Sequence, residues 1–221
     1  MHIDQIIHSR RKTLQISVAY DGRLIVRAPL GMSQSKIDTA VASKTDWIHK
    51  KQAQFRAAYP RWSPKKFIAG ERFAYLGKEY SLKIMENQKE ALILQEQFSL
   101  SRQYIKKAKT VFESWYRQQA RRYLTQEVER LAVKHGFARP RIRITSARSR
   151  WGSCSSSGNL NLTWRLILAP PEVIEYVIIH ELAHLKAPGH QRPFWELVEN
   201  LLPGYQKPKA WLKKFGHTLA L

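Results

Sequence analysis

Val173-Ile174-Glu175-Tyr176-Val177-Ile178-Ile179-His180-Glu181-Leu182-Ala183-His184-Leu185 is the stretch whose reading decides the fold. It contains His-Glu-x-x-His, and His190 stands six residues beyond the second histidine. An α-helix turns ~100° per residue, so His180 and His184 share one face, a turn apart. That spacing lets two imidazole nitrogens reach one ion at ~2.0–2.1 Å. Glu181 falls on the adjoining face. A carboxylate there can accept a proton from water that a metal has acidified, without ligating the metal.

The flanks fit a buried helix. Pro170-Pro171 suits a first helical turn, where a missing N–H costs nothing. Glu172 and Glu175 complement the positive end of the helix dipole. Val173, Ile174, Val177 and Ile178 are apolar enough for a core element, and Pro188-Gly189 stops the helix. A chain reversal there swings His190 toward His180 and His184. Three nitrogens leave a fourth position open for water, the pattern of a catalytic zinc site. Glu196 and Glu199 are rival third ligands, since some zinc hydrolases use a downstream glutamate. A single buried histidine is more often a hydrogen-bonded core residue. The buried helix, its stop and a third candidate ligand together favour Zn2+.

The chain has 221 residues, enough for one large domain or two small ones. No run of eighteen apolar residues occurs, so no membrane span is expected. The N-terminus lacks the layout of a secretory signal, and the single cysteine, Cys154, excludes an internal disulfide. Both point to a reducing, cytoplasmic setting. The net charge of +21 is uneven. Residues 101–150 hold fourteen Lys or Arg against three Glu, whereas residues 171–200 hold two against five acidic groups. The 101–150 region is therefore expected to attract a polyanion such as DNA, RNA or a nucleotide.

Along the chain, residues 3–30 read as a hairpin turning at Asp21-Gly22, with Ile16, Val18 and Tyr20 alternating and Leu24-Ile25-Val26 returning. Ser33 or Ser35 begins a helix to about Ala58, and 60–64 is a break. Residues 66–100 read as strands again, with aromatics for packing. Ser101 caps a long helix from Arg102 to Lys134, ended by Gly136, with an apolar stripe and many basic residues. The alternating 140–145 is a strand, 149–154 and 155–158 are turns, and 159–164 is a strand. These two strands form a cleft wall whose edge could pair with an extended peptide. Helices follow from Arg192 and from Lys207. This gives an α+β chain with a β-rich region over 1–100 and a metal-binding domain over 101–221, packed as one unit.

Other residues near the cleft carry two readings. Cys154 could supply a thiolate ligand, but the histidines suffice and a structural role is favoured. Arg148 and Arg150 could meet a carboxylate or phosphate, or be solvated. Tyr205 could steady an oxyanion; an anchoring role is the simpler reading.

Together these residues resemble the YgjP-like metallopeptidase family, relatives of the SprT-like zincins. The resemblance rests on Arg150-Trp151-Gly152-Ser153-Cys154, Asn161-Leu162-Thr163-Trp164, Tyr176 to Leu185, and His190 with Phe194-Trp195. It is sharpest over about 148–205. It implies a zincin-like fold with a small antiparallel sheet and an active-site helix. It further implies zinc on His180, His184 and His190, Glu181 as base, and a cytoplasmic location. The spacing to His190 equals that of metzincins, but Ala187 stands where they carry glycine, and no methionine turn is evident.

The function expected is a zinc-dependent hydrolase acting on a peptide or protein. Two rivals remain. A metal-dependent nucleotide pyrophosphatase fits the charge but lacks a glycine-rich phosphate loop and a carboxylate cluster for magnesium. A DNA-associated protease, or a nucleic-acid-binding protein with a structural metal, fits the basic 101–150 region.

Overall fold

The computed structural model describes residues 1–19, 22–58, 65–148, 150–155 and 157–221, with Ala57 and Ala58 described by backbone alone. The expected turn residues Tyr20 and Asp21, the break at 60–64, and the turn residues Ser149 and Ser156 lie outside the described residues. The chain divides into two compact units, Met1–Pro64 and Lys65–Leu221. The sequence placed a boundary at 100/101. The strands before residue 101 bury Phe73, Leu82 and Phe98 in the same core as Phe112 and Tyr116 of the long helix, so they belong to the second unit.

The first unit is a three-stranded sheet with two helices. Strand β2 (Gln15–Val18) pairs antiparallel with β3 (Leu24–Pro29), as a hairpin should. Strand β1 (Gln5–Ser9), which the sequence reading missed, pairs parallel with β3 on its other side. The expected single helix is two, α1 (Gln34–Ala42) and α2 (Thr45–Ala58). Neither Ser33 nor any other side chain caps α1. Ile37, Val41 and Ile48 bury against Leu24, Val26 and Ala28, and this core rather than a cap holds the helices.

The second unit carries the site. A four-stranded sheet of order β4-β5-β7-β6 is made by β4 (Arg72–Tyr75), β5 (Lys78–Met85), β6 (Leu92–Leu94) and β7 (Phe98–Ser101). Residues 102–107 form a 3-10 turn, and α3 runs from Ala108 to Lys134, so Ser101 caps no α-helix. The face of α3 bearing Phe112, Tyr116, Ala120, Leu124 and Val128 is buried, while Lys109, Arg117, Arg121 and Arg122 are exposed. Tyr116 satisfies its buried hydroxyl on the Ala74 carbonyl at 2.7 Å, tying α3 to β4.

A second sheet has order β8-β10-β9, from β8 (Ile142–Thr145), β9 (Gly152–Cys154) and β10 (Leu160–Thr163). The expected turn at 149–154 thus contains a strand. The sheet is mixed rather than antiparallel throughout: β10 pairs antiparallel with β9 and parallel with β8. The chain leaves β8, forms β9 at the far edge, and returns to fill the gap between them.

Helix α4 (Pro171–Ala183) opens with proline in its first turn, as expected. Its start is braced by the β4–β5 turn. Gly77 has φ 75°, and a Cβ there would lie 2.8 Å from the Pro170 Cα, so only glycine fits. Helices α5 (Arg192–Leu201) and α6 (Gln206–Phe215) follow. The chain is α+β. The His-Glu-x-x-His helix packs beside the small mixed sheet, as the sequence led one to expect. Among the described residues no helix is long and apolar enough to cross a membrane.

Candidate metal centre

Helix α4 carries His180 and Glu181 in its last turn, and His184 stands at its C-cap. The chain then makes further turns, Lys186 and Ala187 both donating to the Ala183 carbonyl at 3.0 and 2.9 Å. Gly189, at φ 81°, lets it reverse, which brings His190 over the other two rings. Among the described residues these three histidines form a cluster whose ligand atoms all lie within 4.8 Å of one another. Ring centres are 5.0 Å apart for His180–His184, 5.0 Å for His180–His190 and 4.7 Å for His184–His190.

The donor set fits a metal ion. His180 Nε2 and His190 Nε2 face each other at 3.0 Å. Two ligand nitrogens on a tetrahedral zinc stand ~3.3 Å apart at usual bond lengths. Burial first, then the neighbouring histidines and Lys209, pushes His180 down to about 4. Burial and His190 also lower His184, against the hydrogen bond it makes to the Ala187 backbone. Both rings are therefore neutral at pH 7, the form that ligates metals. The Ala187 bond fixes the His184 ring, as outer partners of metal-binding imidazoles do. His180 Nδ1 is buried without a hydrogen-bond partner.

The rings stand on an aromatic floor. Phe194, buried on α5, lies 4.9 Å from His180, 4.5 Å from His184 and 4.9 Å from His190. Trp195 touches His180 and His190, and its indole N–H donates to the His190 carbonyl at 3.0 Å. The rival third ligands are engaged elsewhere. Glu196 pairs with Arg192 at 2.6 Å, while Glu199 accepts from the Gly204 N–H and from Gln206.

Glu181 is buried between α4 and β9. A Cβ at Gly152 would lie 2.6 Å from Glu181 Oε1. Burial pushes the Glu181 carboxyl up to about 7, against the lowering effects of Arg150 and a hydrogen bond from the Cys154 backbone. The sequence reading missed Gly152 as a neighbour of Glu181; a glycine within a strand, signalling close backbone approach, was the available clue. Cys154 is half-buried and outside the histidine cluster, with its thiol raised by burial and by Glu181. Arg148 and Arg150 are exposed. Tyr205 is buried and stacks on Tyr176 and Trp195, an anchoring position.

A helix presenting two imidazoles and a buried carboxylate, with a third imidazole folded back, is an arrangement that suits a metal-dependent hydrolase. The chain belongs to the YgjP-like metallopeptidase family, whose domain matches residues 12–215. It is similar to the metallopeptidase zymogen abylysin of Pyrococcus abyssi. The identity is 27%, over 42% of this chain and 95% of that one, with a TM-score of 0.38. No curated protein matches the chain.

Proposed function

We propose that the protein is a zinc-dependent peptidase in which His180, His184 and His190 hold the ion and Glu181 is the general base. The observation that carries this is the convergence of three ring nitrogens within 4.8 Å beside a buried carboxylate, two at the end of α4 and the third from the segment that follows it. Zinc, when bound there, polarises a carbonyl and acidifies water. Glu181 accepts the proton of the attacking water and passes it to the leaving amine. Gly152 and the Cys154 N–H hold the carboxylate in place. Strand β9 is the edge of its sheet beside α4, so an extended peptide can pair with it. The free thiol of Cys154 is compatible with a cytoplasmic location.

The test is metal content with hydrolysis of casein-derived peptides and of nucleoside triphosphates, each with and without chelator. The reading expects zinc near one per chain and chelator-sensitive peptide cleavage. Glu181→Gln should keep the metal and lose about 10²–10⁴-fold in turnover. Cleavage of triphosphates in preference to peptides would overturn it.

The exposed Lys109, Arg121, Arg122, Arg141 and Arg143 support polyanion affinity as a separate property. Binding to duplex DNA that weakens steeply with salt is its expected signature; no binding at low salt removes it.

A further inference from the structure

Lys209 is one of four lysines on α6. The structure sets it apart. Its backbone N–H bonds to the Tyr205 carbonyl at 3.1 Å, placing it one turn into α6. Tyr205 stacks on Tyr176 of α4 at 6.1 Å and on Trp195 of α5 at 5.5 Å, with rings within 13° of parallel. This three-ring ladder fixes α6 beside the histidines. Lys209 Nζ sits 3.6 Å from the Trp195 ring centre, and that centre is 5.7 Å from His180's, so the ammonium is within about 9 Å of the cluster. Extended chain advances ~3.3 Å per residue, so two or three residues of a bound peptide span the gap.

Lys207, Lys213 and Lys214 are exposed, whereas Lys209 is half-buried. Among the described residues no carboxylate pairs with it. The two acidic residues of α5 are committed to Arg192, Gln206 and the Gly204 N–H. A half-buried ammonium held only by π faces gains more from an arriving anion than a solvated one does.

We propose that Lys209 forms a carboxylate-binding subsite beside the histidine cluster, so that the preferred substrates are peptides carrying a negative group two or three residues from the scissile bond. The inference rests on the peptidase reading above. Two sources supply such a group: an acidic side chain or the free C-terminus of a short peptide.

The test uses zinc-loaded protein and blocked hexapeptides, acetylated and amidated, that differ only by Glu or Gln at each position in turn. A third arm carries the Gln sequence with a free C-terminal carboxylate. Two readouts are taken: kcat/KM with the active protein, and equilibrium binding to Glu181→Gln. A preference of about tenfold for one charged form is expected in both, the worth of one charge-assisted hydrogen bond. Lys209→Gln should abolish that preference, Lys209→Arg should keep it, and Lys209→Glu should reverse it toward a Lys-containing peptide. Whichever charged arm is preferred identifies the source. Equal handling of charged and neutral peptides by the wild type overturns the proposal. So does an equal loss on both in Lys209→Gln, the result for a lysine that merely covers Trp195. Charge-selective binding without cleavage would remove the peptidase reading and leave the subsite; cleavage without charge selectivity would do the reverse.

Discussion

Gly152 lies flush against Glu181: a Cβ added at 152 would come within 2.6 Å of both Cγ and Oε1 of the glutamate. The contact joins the edge of a sheet to the one carboxylate of the site. The same strand also supplies the Cys154 backbone hydrogen bond to that carboxylate. Position and environment of the proposed base are thus set by β9, some thirty residues earlier in the chain.

Gly152→Ala should therefore impair turnover more than it impairs the fold. The methyl must displace Glu181 or the strand, and a misplacement of about 1 Å can cost on the order of 10²-fold. Zinc stoichiometry should stay near that of the wild type, because the histidines are not touched. Metal-loaded Gly152→Ala with wild-type kcat would show that the contact positions nothing.

Metal-free protein should reveal the cost of burying Glu181. Its carboxyl rises from 4.5 to about 7 on folding, so the folded state holds that proton more tightly than the unfolded one. The group favours folding fully below pH 4.5, and this benefit is lost as pH rises to about 7. Glu181→Gln removes that dependence. In chelator, the variant should gain stability relative to wild type across this window, by up to roughly 3 kcal/mol at pH 8. Paired denaturant titrations at pH 4 and pH 8 measure it. Contributions from His180 and His184 cancel in the comparison. An unchanged difference between the two pH values would show that Glu181 is not buried as a neutral acid.

His190→Ala should separate the third ligand from the acidic residues of α5. Loss of a direct ligand ought to exceed the ~10–100-fold in zinc affinity that an outer partner costs. Glu196→Gln and Glu199→Gln should leave affinity within a few-fold. A chelator competition assay ranks all three. If Glu196→Gln proved the most damaging, the ligand set would be wrong.

Phe194→Ala would remove the ring that supports all three imidazoles. Its side chain is 1% exposed, so the cavity should cost about 3–5 kcal/mol. Zinc affinity should fall as well, because each imidazole loses a face that restricts it. Thermal unfolding and competition with a chelator report the two effects. Lost stability with unchanged affinity would make Phe194 a core residue only.

The legible parts of the chain are those governed by local rules. Helix α4 begins at its proline pair, and the spacing of His180, Glu181 and His184 follows from helix geometry. The β2–β3 hairpin and the buried stripe of α3 follow from periodicity. What was missed depends on partners distant in sequence. Strand β1 is a strand because β3, about twenty residues on, accepts it in parallel. Residues 152–154 form a strand only because β10 pairs with them. The proposed helix over 33–58 breaks at Ser43-Lys44, where no strong breaker marks the sequence.

By itself, the sequence determined which residues can ligate a metal and which carboxylate stands beside them, because a helix converts spacing into a shared face without outside help. Only the tertiary structure decided how His190 returns, what buries Glu181, and that Lys209 stands over Trp195 beside the triad. Those outcomes depend on packing between α4, β9, α5 and α6. Such contacts are fixed by shape and burial across the whole unit, and no local pattern encodes them.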